Sequence, residues 1–452
     1  MVALLSQLRS ARGQSDPLPL FAQLHQLGAV LPSPWGGVLV TSHHVCETIL
    51  RDKAWTSLDS RWRQGQGPRW TSRSARELGH VIMSLNPPEH TQQRQVVREA
   101  FGKQTLQRLN AHIRETTDEL LDQLEDALTE GPRADFVPTS EQFPIRVVGR
   151  WLGLPTRDLD RLHQLTREHT HAQELFPTPR RLEQADLASD ELQAYFAAII
   201  ADRRSCPRDD VITNWLTLWD AAPPNRPASD VTVRRLAMFS LMAGLETTAA
   251  LLASSVRLLA QHPEQARWLR SHPERTSMLV DEALRFDPPV QVISRVAPGD
   301  TTLAGVDIAA GQVAYLLIGA AQHDPTVYEQ SDTFDVRRPG RRHLAFGAGA
   351  HYCIGAGLAR TMAIQFIEAL LSRLPDLYLP SPALWEPRVA FRRMESPPHR
   401  PPPLKPLRRL TRCCNCPPCL PSPPSCRTGG AWSGFTSRGT RWTPRRYATS
   451  SR

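Results

Sequence analysis

Cysteine is scarce in the first 396 residues of this 452-residue chain, where only Cys46, Cys206 and Cys353 occur. Three isolated thiols exclude a disulfide framework and fit a reducing compartment. A long apolar run is missing from residues 1–31, which mix Arg, Gln, Asp and His with their apolar neighbours. No signal peptide or membrane anchor is expected there, and a cytoplasmic protein is. No dinucleotide-binding glycine fingerprint follows a strand-like run, so the chain is not expected to carry its own flavin or nicotinamide domain. Internal repeats are missing as well. Acidic residues are absent from residues 397–452, which hold ten Arg, one Lys and 12 Pro. The whole-chain charge of +9 is therefore misleading: the tail carries +11, and 9 minus 11 leaves −2 for the body.

What remains is enough for a large core. Hydrophobic residues make up 40% of the chain, and length alone would suggest two or three domains. Residues 1–35 read as loop and short helix, and 36–41 as a strand entering a helix near 44–51. Residues 56–82, rich in Arg, Gly, Ser and Trp, suggest a long surface loop. Leu106, Leu109, Ile113, Leu120, Leu121, Leu124 and Leu128 recur at helical spacing and predict a helix over 106–128. Several helices are expected over 139–204, broken near Pro155 and from Pro177 to Pro179. Residues 221–227 read as a linker. One long helix is expected over 231–261 and another over 273–286. Strand-like runs follow at 290–296 and 313–318. An irregular segment with Pro325 and Pro339 leads to a glycine-rich loop, and a last long helix is expected over 354–374.

That glycine-rich loop carries the chemistry. It reads His343-Leu-Ala-Phe346-Gly347-Ala-Gly349-Ala-His351-Tyr-Cys353-Ile-Gly355-Ala-Gly357-Leu-Ala-Arg360. A thiolate needs compensation for its charge, and backbone N–H groups at a helix N-terminus supply it. Glycines let the backbone approach a large flat ligand because they lack a Cβ. An inert buried cysteine beside a turn is the plain alternative. The match to one pattern is nevertheless long and gapless. Phe346, Gly349, Cys353 and Gly355 occupy every fixed position of F-x-x-G-x-x-x-C-x-G. The loop resembles the haem-binding loop of the cytochrome P450 family, and its flanks resemble the soluble bacterial branch.

Other motifs gain meaning from that resemblance. Ala243-Gly244-Leu245-Glu246-Thr247-Thr248 places an acid and an alcohol at the centre of an apolar helix. In a membrane span the acid would cost roughly 2.5–3.5 kcal/mol. In a plain core helix it would be a buried, unpaired carboxylate. The segment resembles the family's A-G-x-[DE]-T on the oxygen side of the haem. The resemblance implies that Ala243 and Gly244 let O2 and substrate approach the iron. It implies that Thr247 hydrogen-bonds the dioxygen and its water, with Thr248 as the alternative, and that Glu246 relays protons inward.

Glu282-Ala-Leu-Arg285 puts opposite charges on one helical face. A surface ion pair of little worth is one possibility. The motif resembles the family's structural pair, with Arg338 as the third member and Arg337 as its rival. Asn86-Pro-Pro-Glu-His90-Thr-Gln-Gln-Arg94 resembles the family's P-P-E-H-x-x-x-R segment. His90 and Arg94 lie one turn apart and can face the same haem propionate edge; a solvated basic face is the alternative. Arg295 and His351 match two more positions of this kind. The chain departs from the family where Asn86 replaces Asp and where Gln322-His323 replaces Asn-Arg.

The resemblance covers residues 15–396. It implies a mainly α fold with small β-sheets, a cytochrome P450 fold, with one haem-containing domain over residues 1–396. Haem b would lie between the 231–261 helix and the Cys353 loop. Cys353 would be the axial iron ligand, with Phe346, Gly347 and Gly355 shaping its loop. The activity implied is a monooxygenase that takes O2, two electrons and two protons, inserts one oxygen atom into a medium or large organic substrate and releases water. Electrons from NAD(P)H would arrive through a ferredoxin and its ferredoxin reductase, docking on a basic face near Arg360. Ala243, Leu245, Val290, Val292, Ile293 and the 60–85 loop are expected to line the substrate pocket. The branch implies hydroxylation or epoxidation in secondary metabolism, on a free or carrier-bound small molecule, by a monomer with no nucleic-acid partner. A catalytically silent haem protein that recruits a partner and a peroxide-driven peroxygenase are the alternatives. The acid–alcohol pair speaks against both.

Residues 397–452 lack apolar periodicity and are expected to be disordered. Cys413, Cys414, Cys416 and Cys419 invite a zinc site, but they lack two separated pairs. A shifted reading frame in GC-rich DNA would produce such Pro-, Arg- and Cys-rich text, and the last strand of the substrate-side sheet would then be missing.

Overall fold

The computed structural model describes residues 2–131, 134–221, 228–339, 343–374 and 383–396. All but Ala221 of the linker expected over 221–227, and the tail over 397–452 with its zinc and frame-shift readings, lie outside the described residues.

The apolar stretch expected over 231–261 forms one 33-residue helix, Ser229–Gln261. Among the described residues it alone is long and apolar enough to cross a membrane, yet 72% of that apolar window is buried inside the protein. It is the central helix of the core. Phe136–Trp151, Pro179–Ser205, Thr276–Phe286 and Ala356–Arg373 pack around it. Lys103–Glu130 packs against two of these and buries Leu109, Ile113, Leu120, Leu121 and Leu124, as the 3.6-residue period requires.

Residues 56–82 are not one long loop. They contain three short helices, Ser60–Gln64, Pro68–Thr71 and Arg73–Leu78. Asp59 and Ser72 cap the first and third, their side chains accepting from the N–H groups of Trp62 and Ala75. Helices this short leave no periodic signal, so composition misled.

Eight short strands complete the described fold: β1 Val30–Pro32, β2 Val38–Val40, β3 Val292–Val296, β4 Thr301–Leu303, β5 Val306–Ile308, β6 Val313–Leu317, β7 Leu384–Trp385 and β8 Met394–Glu395. The main sheet has the order β1-β2-β6-β3, while β4–β5 and β7–β8 form separate antiparallel pairs. β6 lies parallel to β2, with Leu39 opposite Tyr315, and antiparallel to β3, with Arg295 opposite Ala314. All five residues of β6 are buried, which explains its unbroken apolar run. Successive side chains point to opposite faces. Leu31, Leu39, Tyr315 and Leu317 pack on Leu5, Leu20, Phe21 and Leu24 of the N-terminal helices. Val30, Val40, Ala314 and Leu316 pack on Ile49, Leu50, Leu344 and Ala348. This second face is the floor of the glycine-rich loop. The β1–β2 turn uses Gly37 at φ +74°, where a Cβ would stand 2.1 Å from Val313 O. Only glycine lets β2 lie this close to β6.

A buried charge cluster braces the segment before the loop. Glu282 accepts from Arg285 at 2.7 and 2.8 Å and from Arg338 Nε at 3.2 Å. Arg338 is therefore the third member, and its rival Arg337 pairs with exposed Asp335 instead. Arg285 also donates to the carbonyls of Gln322, Ser331 and Thr333, and Arg338 to those of Glu329, Gln330 and Thr333. Gln322 and His323 pin the same region. Gln322 accepts from the Leu344 N–H at 3.0 Å and donates to Leu284 O at 3.2 Å, and the His323 ring lies at hydrogen-bond distance from the Phe286 and Ser331 carbonyls. Asn86 has a local cause. Its Oδ1 accepts from the Ser57 N–H at 2.8 Å, and its Nδ2 donates to Asp59 Oδ2 at 3.1 Å. An aspartate there would face Asp59 with like charge.

Glu282→Ala leaves Arg285 buried without its counter-charge. The expected loss is roughly 3–5 kcal/mol in denaturant unfolding of the full chain, against about 0.5 kcal/mol or less for Arg337→Ala. A second prediction concerns acid. His169 is fully buried at the end of Leu159–His169, and neither ring nitrogen has a partner among the described residues. Burial pushes it down from 6.5 to about 4. The unfolded chain takes up a proton that the folded protein refuses, so stability is lost as the pH falls from about 6.5 through about 4. His169→Phe should flatten this acid limb by up to roughly 3 kcal/mol, read from unfolding midpoints between pH 7 and pH 4.

Candidate active site

Cys353 sits between two structures that fix its backbone. Its N–H donates to Phe346 O at 2.9 Å, and its carbonyl accepts from the Ala356 N–H at 3.4 Å. The loop turns at Gly347 and Gly349, both at φ +68°. A Cβ on Gly349 would stand 2.2 Å from Leu50 O, so glycine lets the loop lie against the end of the helix His43–Arg51. Gly355 precedes the helix Ala356–Arg373 and places its own N–H, with that of Ala356, toward the sulfur. Burial pushes the Cys353 thiol up, while these two N–H groups and Arg94 pull it back without cancelling the rise. Solvent still reaches the residue, so it is not part of a closed core.

Beside it lies a basic cluster without an acid. The rings of His90 and His351 are 4.0 Å apart, and Ser57 Oγ stands 3.3 Å from His351 Nε2. Arg94 donates to Tyr352 O at 2.6 Å. Arg295 is buried in β3 and donates to Ser294 O at 2.8 Å. Burial, reinforced by the neighbouring arginines, pushes His90 down to about 4 and His351 down to about 2. Burial alone pushes Arg295 down to about 10. Four expected residues are thus brought together, and none of them ion-pairs with a carboxylate among the described residues.

The long helix presents Ala243 and Thr247 on one open face, four residues apart, while most of its neighbouring side chains are buried. Thr247 Oγ1 donates to Ala243 O at 2.6 Å. Thr248 is buried, so Thr247 is the accessible hydroxyl. Two expectations need correction. A Cβ on Gly244 would stand 3.1 Å from Val148 Cγ2, so this glycine serves close packing with Phe136–Trp151 rather than access to the iron. Leu245 is buried and does not line an open pocket, whereas Val290, Val292 and Ile293 are half-buried.

Glu246 lies roughly 100° around the helix from Thr247 and is buried against a different partner. Both carboxylate oxygens accept from Arg393 Nη1 at 2.5 Å, with Arg388 at 4.0 Å. Burial pushes Glu246 up, but Arg393 and Arg388 outweigh it and hold the carboxyl below its usual range. The structure therefore does not bring Glu246 to the Thr247 hydroxyl, and the expected inward relay meets a closed ion pair. Sequence reasoning missed Arg393, Arg388 and Glu386, which lie between β7 and β8. The run Arg392-Arg393 was visible, but its partners Asp287 and Glu246 are more than a hundred residues away. Arg360 also differs from expectation. It pairs with Asp281 and lies 5.2 Å over the Phe346 ring, so it braces the loop and is not a free docking cation.

Among the described residues no group of three His, Cys, Asp or Glu could hold a metal ion. The profile of the family described as Cytochrome P450 matches residues 270–375. The biotin biosynthesis cytochrome P450 of Bacillus subtilis (strain 168) is 31% identical over 381 residues, covering 82% of this chain and 91% of that protein. The mycinamicin IV hydroxylase/epoxidase of Micromonospora griseorubida is 34% identical over 324 residues, covering 70% and 79%. The crystal structure of P450BioI in complex with hexadec-9Z-enoic acid ligated acyl carrier protein superposes with a TM-score of 0.78 at 26% identity, covering 85% of this chain and 97% of that one. The loop, the basic cluster and the helical fold are those of a haem-thiolate enzyme. This chain belongs to the cytochrome P450 family.

The residues present fit the family's haem. Cys353 offers one thiolate, and His90, Arg94, Arg295 and His351 offer donors without a resident anion, which suits two propionates. Replacing Arg295 and His351 together by Leu should weaken haem retention by about tenfold or more, measured as the rate of haem transfer to apomyoglobin.

Proposed function

We propose that this protein is a cytoplasmic, monomeric monooxygenase that tailors a medium or large organic molecule by hydroxylation or epoxidation in secondary metabolism. The observation that carries this is the pairing of an open thiol with an acid-free basic cluster on one side and an accessible Ala243–Thr247 face on the long helix. Haem bound there supplies the redox chemistry that activates O2, and a thiolate ligand favours O–O cleavage.

The chain's own residues do the rest. Cys353 would ligate the haem iron through its thiolate, and the N–H groups of Gly355 and Ala356 would stabilise that charge. His90, Arg94, Arg295 and His351 would hold the propionates. Phe346 and Gly347 keep the loop in register above the sheet. Ala243 leaves room for substrate, and Val290, Val292 and Ile293 offer it an apolar wall. The Thr247 hydroxyl can both accept and donate, so it can hand a proton to the oxygen side when it leaves Ala243 O. Glu246 feeds that position only when its pair with Arg393 opens. Electrons come from NAD(P)H through a ferredoxin and its reductase. The carrier-bound ligand of P450BioI supports a substrate tethered to a carrier.

The first test is the reduced carbon-monoxide difference spectrum of the full chain. A red-shifted thiolate-type Soret band is expected, and a shorter-wavelength band would overturn the assignment of Cys353. Thr247→Ala should cut product formation by roughly a hundredfold while electron consumption continues, measured as product per NAD(P)H. Unchanged coupling would remove Thr247 from the proton path.

A further inference from the structure

Eight arginines among the described residues are buried. Six of them hold a carboxylate within ion-pair distance, as Arg203 holds Asp210 and Arg388 holds Glu174. The other two are Arg295 and Arg63. Arg295 belongs to the basic cluster where haem propionates supply the missing charge. Arg63 instead lies against the indole of Trp70.

Arg63 Nε donates to Leu58 O at 2.8 Å. Arg69 is half-buried, donates through Nη2 to Glu174 O, and keeps a buried Nε with no partner among the described residues. Both guanidinium groups lie over the indole of Trp70, Arg63 at 5.2 Å and Arg69 at 4.2 Å from the ring centroid. The nearby acids are committed. Glu174 holds Arg388 at 2.7 Å and the N–H groups of Val389 and Ala390 at 3.0 Å. Asp59 caps the Trp62 N–H at 2.9 Å and accepts from Asn86. Burial, and then the charge of Arg69, pushes Arg63 down to about 10, with Asp59 offsetting part of the fall. Two like charges are thus held near one ring in a partly dry place, and an anion joining them would relieve both.

The surroundings say what the anion is attached to. Trp62, Trp70, Phe176 and Val292 are half-buried on one apolar cluster with Val296 and Val389. Val292 lies on β3, the strand that bears Arg295. An apolar wall therefore runs from the haem-side strand to the arginine pair.

We propose that Arg63 and Arg69 bind the anionic end of the substrate, a carboxylate or phosphate on an elongated apolar molecule whose body lies along Trp70, Phe176 and Val292. The inference rests on the monooxygenase reading for the fate of that molecule, and the anion could belong to a free acid or to the phosphate of a carrier arm. Calorimetric titration of the holoprotein with dodecanoate, dodecyl phosphate and 1-dodecanol tests it. At least one anion should bind about tenfold tighter than the alcohol. The double variant Arg63→Gln, Arg69→Gln should bring the ratio to about one, and Arg63→Lys, Arg69→Lys should keep part of it. A preference for dodecanoate assigns a free acid, and one for dodecyl phosphate assigns a phosphate arm. Equal affinity for all three ligands in the natural chain overturns the proposal, as does a preference that survives in the Gln variant. The carbon-monoxide spectrum of the same samples separates the two readings. A thiolate-type band without anion preference sinks this proposal alone, and anion preference without that band sinks the monooxygenase reading alone.

Discussion

A charge buried without its opposite is costly, and the interior of this protein is organised around that constraint. Between β7 and β8 the chain threads three arginines through the core, and each meets a carboxylate from a distant element: Arg388 meets Glu174, Arg392 meets Asp287 and Arg393 meets Glu246. Glu282 does the same for Arg285 and Arg338 behind the cysteine loop. Where the rule is suspended, a ligand is expected. The basic cluster around His351 has no acid among the described residues, which suits a dianionic cofactor.

The position of the thiol follows from packing as much as from charge. One face of the main sheet packs on the N-terminal helices, and the other supports Leu344 and Ala348. The loop is then locked from the side by Gly349 against Leu50 O. Cys353 inherits its place from these contacts, and its environment from two N–H groups and Arg94. The long helix is buried along most of its length and open at Ala243 and Thr247.

Much of this was legible in the sequence, because the loop, the A-G-x-E-T segment and the E-x-x-R pair are local patterns at fixed spacing. The long helices were legible from their periodicity. What was not legible depended on long-range contacts. Arg338 and Arg337 are neighbours in sequence, and only the fold shows which one reaches Glu282. Gly244 looked like an opening for a ligand and is a point of contact with Val148. Glu246 looked free to move protons, and its partner Arg393 comes from the far end of the body. The helices within 56–82 were too short for periodicity, and their caps at Asp59 and Ser72 emerge only in the fold.

The register of the main sheet has a consequence in time. Val38 on β2 pairs with Ala314 on β6, and β6 in turn pairs with β3. At the usual pace of translation, on the order of 10–60 s separates the synthesis of β2 from that of its partner. Until then β2 lacks this neighbour, and the cysteine loop, made later still, has no floor. Contacts of such long sequence separation form slowly. Chain synthesis and closure of the sheet must therefore precede the assembly of the site, and the first half of the protein waits through that interval with its sheet edge exposed.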